Sequence, residues 1–181
     1  MVTAFINRGA GVDLASPTGS TALMIASAKG HVATVNTLLD GGANIDLTNQ
    51  SGLSAVAIAT YNNRAEVVAT LANRGANLDL VSRHGLTALM IAARKGHVAI
   101  VGVLLEGGAD FNLVNREGRT ALMMASREHN EGVVDLLSSY ASAFDERRSL
   151  GQSISATPTA TPNVTASNAV ATASDTSCTI S

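Results

Sequence analysis

Four histidines and one cysteine are the side chains best suited to hold a metal or attack a carbonyl carbon. A metal site needs its ligands within about 2 Å of one ion. His31 and His97 occupy the same place in units of a repeating sequence, so they are expected at least one unit apart. Both are expected to make hydrogen bonds between neighbouring units. His84 falls on a predicted loop, and His129 replaces a turn glycine. Cys178 lies in a Ser/Thr-rich tail, where nothing would hold a base beside it or lower its pKa. Gly41-Gly42 lacks the Lys-Ser/Thr that a phosphate loop requires. Asp40 and Glu106 align with each other and read as solvated helix ends rather than a catalytic pair. The tripeptides Asn49-Gln50-Ser51 and Asn163-Val164-Thr165 match the glycosylation pattern, but read as a turn and as tail composition. The expectation is no catalytic set, no cofactor and no metal.

The elements that carry these residues must be small and closely packed. Aromatic residues make up only 3% of the 181 residues, while 46% are hydrophobic, which fits many short Ala-rich helices rather than one bulky core. That apolar share excludes wholesale disorder. A net charge of −2 excludes the overall basic balance of a general nucleic-acid binder. One cysteine excludes a disulfide framework. Residues Met1 to Arg8 lack a basic stretch leading into an apolar run, so they do not read as a secretory leader. The longest apolar run, Val98 to Leu105, is far shorter than a membrane helix. The expected location is cytoplasmic, with the nucleus as the alternative.

Gly19, Gly52, Gly85 and Gly118 recur every 33 residues. After them come Ser-Thr-Ala-Leu-Met-Ile-Ala, Leu-Ser-Ala-Val-Ala-Ile-Ala, Leu-Thr-Ala-Leu-Met-Ile-Ala and Arg-Thr-Ala-Leu-Met-Met-Ala. Val35, Val68, Val101 and Val134 align, as do Leu38, Leu71, Leu104 and Leu137. Gly42-Ala43-Asn44, Gly75-Ala76-Asn77 and Gly108-Ala109-Asp110 close three units. The register gives a partial unit over 1–16, full units over 17–49, 50–82 and 83–115, a terminal unit over 116–150, and a tail over 151–181.

Each unit reads as a pair of short helices. Thr21, Ser54, Thr87 and Thr120 are N-caps, because a hydroxyl can accept from a free amide of the first turn. Gly30 and Gly96 permit the turn into a second helix. There Val35, Leu38 and Leu39 fall on one face. Gly42 can take the left-handed conformation that ends it, and the polar stretch to Gly52 suits a finger-like hairpin. Neither helix is long enough to stand alone in water, so adjacent units must supply each other's core. At one end, a short helix over about Val2 to Asn7 is the only expected cover, which raises the alternative of a fragment of a larger protein whose catalytic or membrane domain lies outside this chain. At the other, Ala141 replaces the closing glycine. Val133, Leu137, Tyr140 and Phe144 continue at helical spacing, which predicts a longer helix over about Glu131 to Ser149, ending near Gly151. The tail, with Pro158 and Pro162, is expected to be disordered.

These units resemble the ankyrin repeat, with its Thr-Pro-Leu-His-x-Ala, Gly-His, Val-x-x-Leu-Leu and Gly-Ala-Asp segments, over about residues 1 to 144. Ala22, Ala55, Ala88 and Ala121 replace the family's Pro; Met24, Ala57, Met90 and Met123 replace its His. The resemblance implies an all-α, helix-turn-helix solenoid with β-hairpin-like finger loops, acting as a non-catalytic protein-protein interaction module. It further implies a concave binding face made of finger tips and first helices. On this sequence that face carries Leu53, Tyr61, Arg83, His84, Leu86, Arg94, Lys95, Arg116, Arg119 and Arg127. Neighbouring positions include Lys29, Arg74, Glu117 and Glu128. The face thus gathers most of the basic residues, so the expected partner is a protein offering an acidic peptide or surface. Nucleic acid is poorly served, since Tyr61 is the face's single aromatic. The array is expected to act as a monomer.

Overall fold

The computed structural model describes residues 11–149. The expected helix over Val2 to Asn7, the end near Gly151, the tail, Cys178 and the Asn163 tripeptide lie outside the described residues. Within them eight α-helices follow in pairs: α1 Ala22–Lys29 and α2 Val32–Asp40, α3 Ala55–Tyr61 and α4 Ala65–Asn73, α5 Ala88–Lys95 and α6 Val98–Glu106, α7 Ala121–Arg127 and α8 Glu131–Ser149.

The odd-numbered helices start where the hydroxyl caps predict. Thr21, Ser54, Thr87 and Thr120 are each in extended backbone, and each accepts at 3.3 Å from the amide of Met24, Ala57, Met90 and Met123 respectively. They end at a left-handed residue: Gly30 (φ 81°) and Gly96 (φ 73°), but also Asn63 (φ 57°) and His129 (φ 56°). The even-numbered helices α2, α4 and α6 close on Gly42, Gly75 and Gly108, also left-handed. There the Ala43, Ala76 and Ala109 amides donate back to Leu38, Leu71 and Leu104. The fourth unit lacks this glycine, so α8 runs on to Ser149.

Odd helices pack on odd and even on even, which makes two layers with the core between them. Val35, Val68, Val101 and Leu38, Leu71, Leu104, Leu137 are all buried there. Burying such a side chain stabilises by about 1.5–3 kcal/mol, and no single pair could do it alone. On α8 itself, the rings of Tyr140 and Phe144 meet Phe111 edge-on, at 5.7 and 5.4 Å between centroids. Tyr140 Oη donates to the Leu105 carbonyl.

The fingers are tighter than hairpins. Among the described residues only one antiparallel bridge forms, Thr48 with Ser54. At the tips, Asn49 Oδ1 accepts from the Ser51 and Leu53 amides, and Asn115 Oδ1 from those of Glu117 and Arg119. Two sets of rungs tie the fingers together. Asp13, Asp46 and Asp79 carboxylates accept from the amides of Asn44, Asn77 and Asp110 in the next unit. Near the tips, the Gln50 amide donates to the Thr18 carbonyl at 3.1 Å and the Arg83 amide to that of Ser51 at 2.9 Å.

Candidate functional site

The finger tips and the C-terminal ends of the odd helices share one face, and between the third and fourth units that face opens into a cavity of about 660 Å³. The third unit supplies His84 and Leu86 from its finger, and Arg94 from the last turn of α5. The fourth supplies Asn115, Arg116, Glu117 and Arg119 from its finger. Met124 and Arg127 come from α7, and Glu128 from the cap that ends it. Four guanidinium groups and two carboxylates therefore line one cavity. Arg119 and Glu117 pair at 2.8 Å. Arg94, Arg116 and Arg127 are exposed, and their side chains make no ion pair or hydrogen bond among the described residues. Arg94 and Arg127 also sit at the negative end of a helix dipole, worth about 0.3–1 kcal/mol each. That keeps them at the helix ends without occupying their N–H forks.

Six of the ten residues expected on the face, His84, Leu86, Arg94, Arg116, Arg119 and Arg127, thus line a single cavity. The other four do not. Tyr61 and Lys95 form their own contact, with Lys95 Nζ 3.9 Å from the ring centroid. Arg83 is exposed, and its amide serves the rung to Ser51. Leu53 is half-buried, its carbonyl accepting from Asn49 within its own finger. Arg74 departs from the expected face altogether. It follows α4 in the second layer, where its fork meets Asp40 at 2.7 Å and Asn36 at 3.2 Å. Asp40 remains a solvated helix end, its side chain 69% exposed, but one that also pairs with Arg74.

Sequence reasoning missed Asn115 and Met124. Met124 aligns with Ile25, Ile58 and Ile91, an apolar register that reads as core, and it is indeed nearly buried while touching the cavity. Asn115 reads as a turn residue, which it also is.

The histidines depart from expectation. Neither His31 nor His97 caps its helix with a side-chain hydrogen bond, and among the described residues the buried His97 Nε2 has no partner. At the same register Arg64 Nε donates to the Ala28 carbonyl, and Asn130 Nδ2 to those of Ala93 and Arg94. A longer or differently forked side chain reaches the preceding helix end, where the imidazole does not. Burial, and secondarily the Lys95 ammonium, hold His97 below the ordinary histidine pKa of 6.5. Among the described residues no group of His, Cys, Asp and Glu is placed to hold a metal, and no helix is long and apolar enough to cross a membrane.

No curated protein matches the chain significantly. A family model described as ankyrin repeats (3 copies) matches residues 1–82 and again 74–147. Members of that family are generally protein-protein interaction modules and are typically non-catalytic. With paired helices in two layers, hydroxyl caps in step and fingers tied by rungs, the chain belongs to the ankyrin repeat family.

Proposed function

We propose that this protein is a non-catalytic interaction module that takes an acidic segment of a partner protein on the face formed by its third and fourth units. The observation that carries this reading is the set of unpaired forks, Arg94, Arg116 and Arg127, around one cavity. An Arg fork meets a carboxylate with two parallel, charge-assisted hydrogen bonds. Leu86 and Met124 give the cavity apolar lining on which an aliphatic side chain can rest. The Tyr61–Lys95 pair lies on the neighbouring part of the same face and extends it towards the second unit.

Fluorescence anisotropy of the full chain with a labelled Glu/Asp-rich peptide library tests this. Binding is expected, weakening steeply as salt is added, with a Lys/Arg-rich library inert. A charge-assisted bond is worth about 1.5–3 kcal/mol. Arg94→Glu combined with Arg127→Glu should therefore weaken capture by roughly a hundredfold or more, with an unchanged far-UV circular dichroism spectrum. Equal capture by the charge-reversed variant, or no preference for acidic peptides, would remove this reading.

A further inference from the structure

The cavity is more cationic than an ordinary acidic side chain requires. Four arginines against two glutamates leave a net charge of +2 around it. The Arg119–Glu117 pair neutralises itself, so three forks and Glu128 account for that excess. Each fork presents five N–H donors. A carboxylate brings one negative charge and two oxygens. A phosphate monoester brings about −1.5 to −2 and three strong acceptor oxygens. One such group matches the excess charge, where a single carboxylate leaves about half of it unmet.

The backbone adds a second observation at the same place. Rungs join the first finger to the second through Gln50 and Thr18, and the second to the third through Arg83 and Ser51. The register places the next rung between the Arg116 amide and the His84 carbonyl. Among the described residues that bond is not made, and the Arg116 amide has no partner. Both residues line the cavity. Arg116 therefore brings a backbone donor as well as a fork to the one finger junction that is not tied at its tip.

We propose that this cavity, within the interaction face argued above and resting on that reading, receives a phosphorylated side chain of a partner peptide. The phosphate meets the forks of Arg94, Arg116 and Arg127, and the stem of the side chain lies on Leu86 and Met124. A nucleic acid fits less well, because no Phe, Tyr or Trp lines the cavity and the imidazole of His84 is the one ring there on which a base could stack. A membrane surface also fits less well. Glu117 and Glu128 stand among the arginines, and an extended layer of negative headgroups would meet them too.

The experiment uses the full chain and short degenerate peptide libraries with one fixed central residue: phosphoserine, phosphotyrosine, glutamate or serine. Single-stranded DNA and vesicles containing phosphatidylinositol phosphates are run beside them. One of the phosphorylated libraries is expected to bind about tenfold or more tightly than the glutamate library. Arg94→Ala with Arg116→Ala should abolish that advantage. Arg74→Ala, which removes the pair with Asp40 in the second layer, should leave it intact. Equal binding of the glutamate and phosphorylated libraries overturns the phosphate assignment and leaves the acidic-segment reading standing. Tighter binding of DNA or vesicles than of any peptide overturns it in favour of those ligands. Failure of every acidic and phosphorylated library overturns both readings.

Discussion

The left-handed position that ends each odd helix is filled by Gly30, Asn63, Gly96 and His129. These four residues occupy one backbone conformation with different neighbours, so substitutions there separate backbone strain from crowding. An L-residue in this conformation is strained by about 1–2 kcal/mol. Replacing glycine by alanine recovers about 0.4–1 kcal/mol by stiffening the unfolded chain. At Gly30 a new Cβ would lie 3.0 Å from Arg64 Cδ; Arg64 is held by a single bond, from Nε to the Ala28 carbonyl at 3.1 Å, and its long stem can bend without giving that bond up. Gly30→Ala should therefore cost only about 1 kcal/mol. At Gly96 the Cβ would lie 2.7 Å from Asn130 Oδ1. That amide cannot swing away freely, because its Nδ2 is held at 2.8 Å by the Ala93 carbonyl and at 3.0 Å by that of Arg94. Losing two such bonds adds about 0.5–1.5 kcal/mol each. Gly96→Ala should cost about 2–4 kcal/mol in total. His129→Gly runs the strain term backwards and should stabilise by up to about 1 kcal/mol. Urea unfolding followed by circular dichroism measures all three, provided the slope with denaturant stays constant. Equal losses for Gly30→Ala and Gly96→Ala would refute the argument from Asn130. A loss of stability in His129→Gly would refute the argument from strain.

Ser27 Oγ is buried with no hydrogen-bond partner among the described residues, and the equivalent residue two units on is Ala93. An unpaired buried hydroxyl costs about 1–3 kcal/mol, so Ser27→Ala should raise the urea midpoint, and a lowered midpoint would show that the hydroxyl has a partner. His97 makes stability depend on pH. Its folded-state pKa lies below 6.5, so the unfolded chain takes the proton first. Stability is complete above about 6.5 and falls as the pH drops through that value towards the folded-state pKa. In His97→Asn, which copies the residue at position 130, that part of the pH dependence should vanish from urea midpoints measured across the same range; an unchanged profile would place its origin elsewhere.

The fold was legible because repetition exposes it. Thr21, Ser54, Thr87 and Thr120 look like caps individually, but their recurrence in step with Val35, Leu38 and the closing glycines turns a weak local signal into a register. The Asp rungs were less legible. Asp13, Asp46 and Asp79 read as turn residues, and only the packing of one finger on the next shows that each also serves an amide 31 residues further on. The candidate site was legible where chemistry and register coincide, as at Arg94 and Arg127 on the ends of equivalent helices. It failed where the side chain is long. Arg74 lies beside the closing glycine of α4, and its reach carries it back across the second layer to Asp40. Lys95 ends the same helix as Arg94, but its ammonium lies over the Tyr61 ring and does not line the cavity. Neither contact has a signature in residue spacing, because each depends on where a flexible side chain finds its partner.

The division of labour within each unit explains why a binding site can arise at one junction without disturbing the rest. The caps, the buried Val and Leu of the second helices and the Asp rungs recur across the units, and they hold neighbour to neighbour. The finger-tip pairs do not: Gln50 and Ser51, Arg83 and His84, and Arg116 and Glu117 share positions but little chemistry. The same holds for the helix ends at Tyr61, Arg94 and Arg127. These residues are exposed and their side chains contribute little to the core, so charge can accumulate there at small cost to stability. Between the third and fourth units both variable positions are basic together, and the backbone rung that ties the earlier tips is missing. Charge and an untied junction thus coincide at a single place, whereas a solvated face shaped only by solubility has no reason to bring the two together.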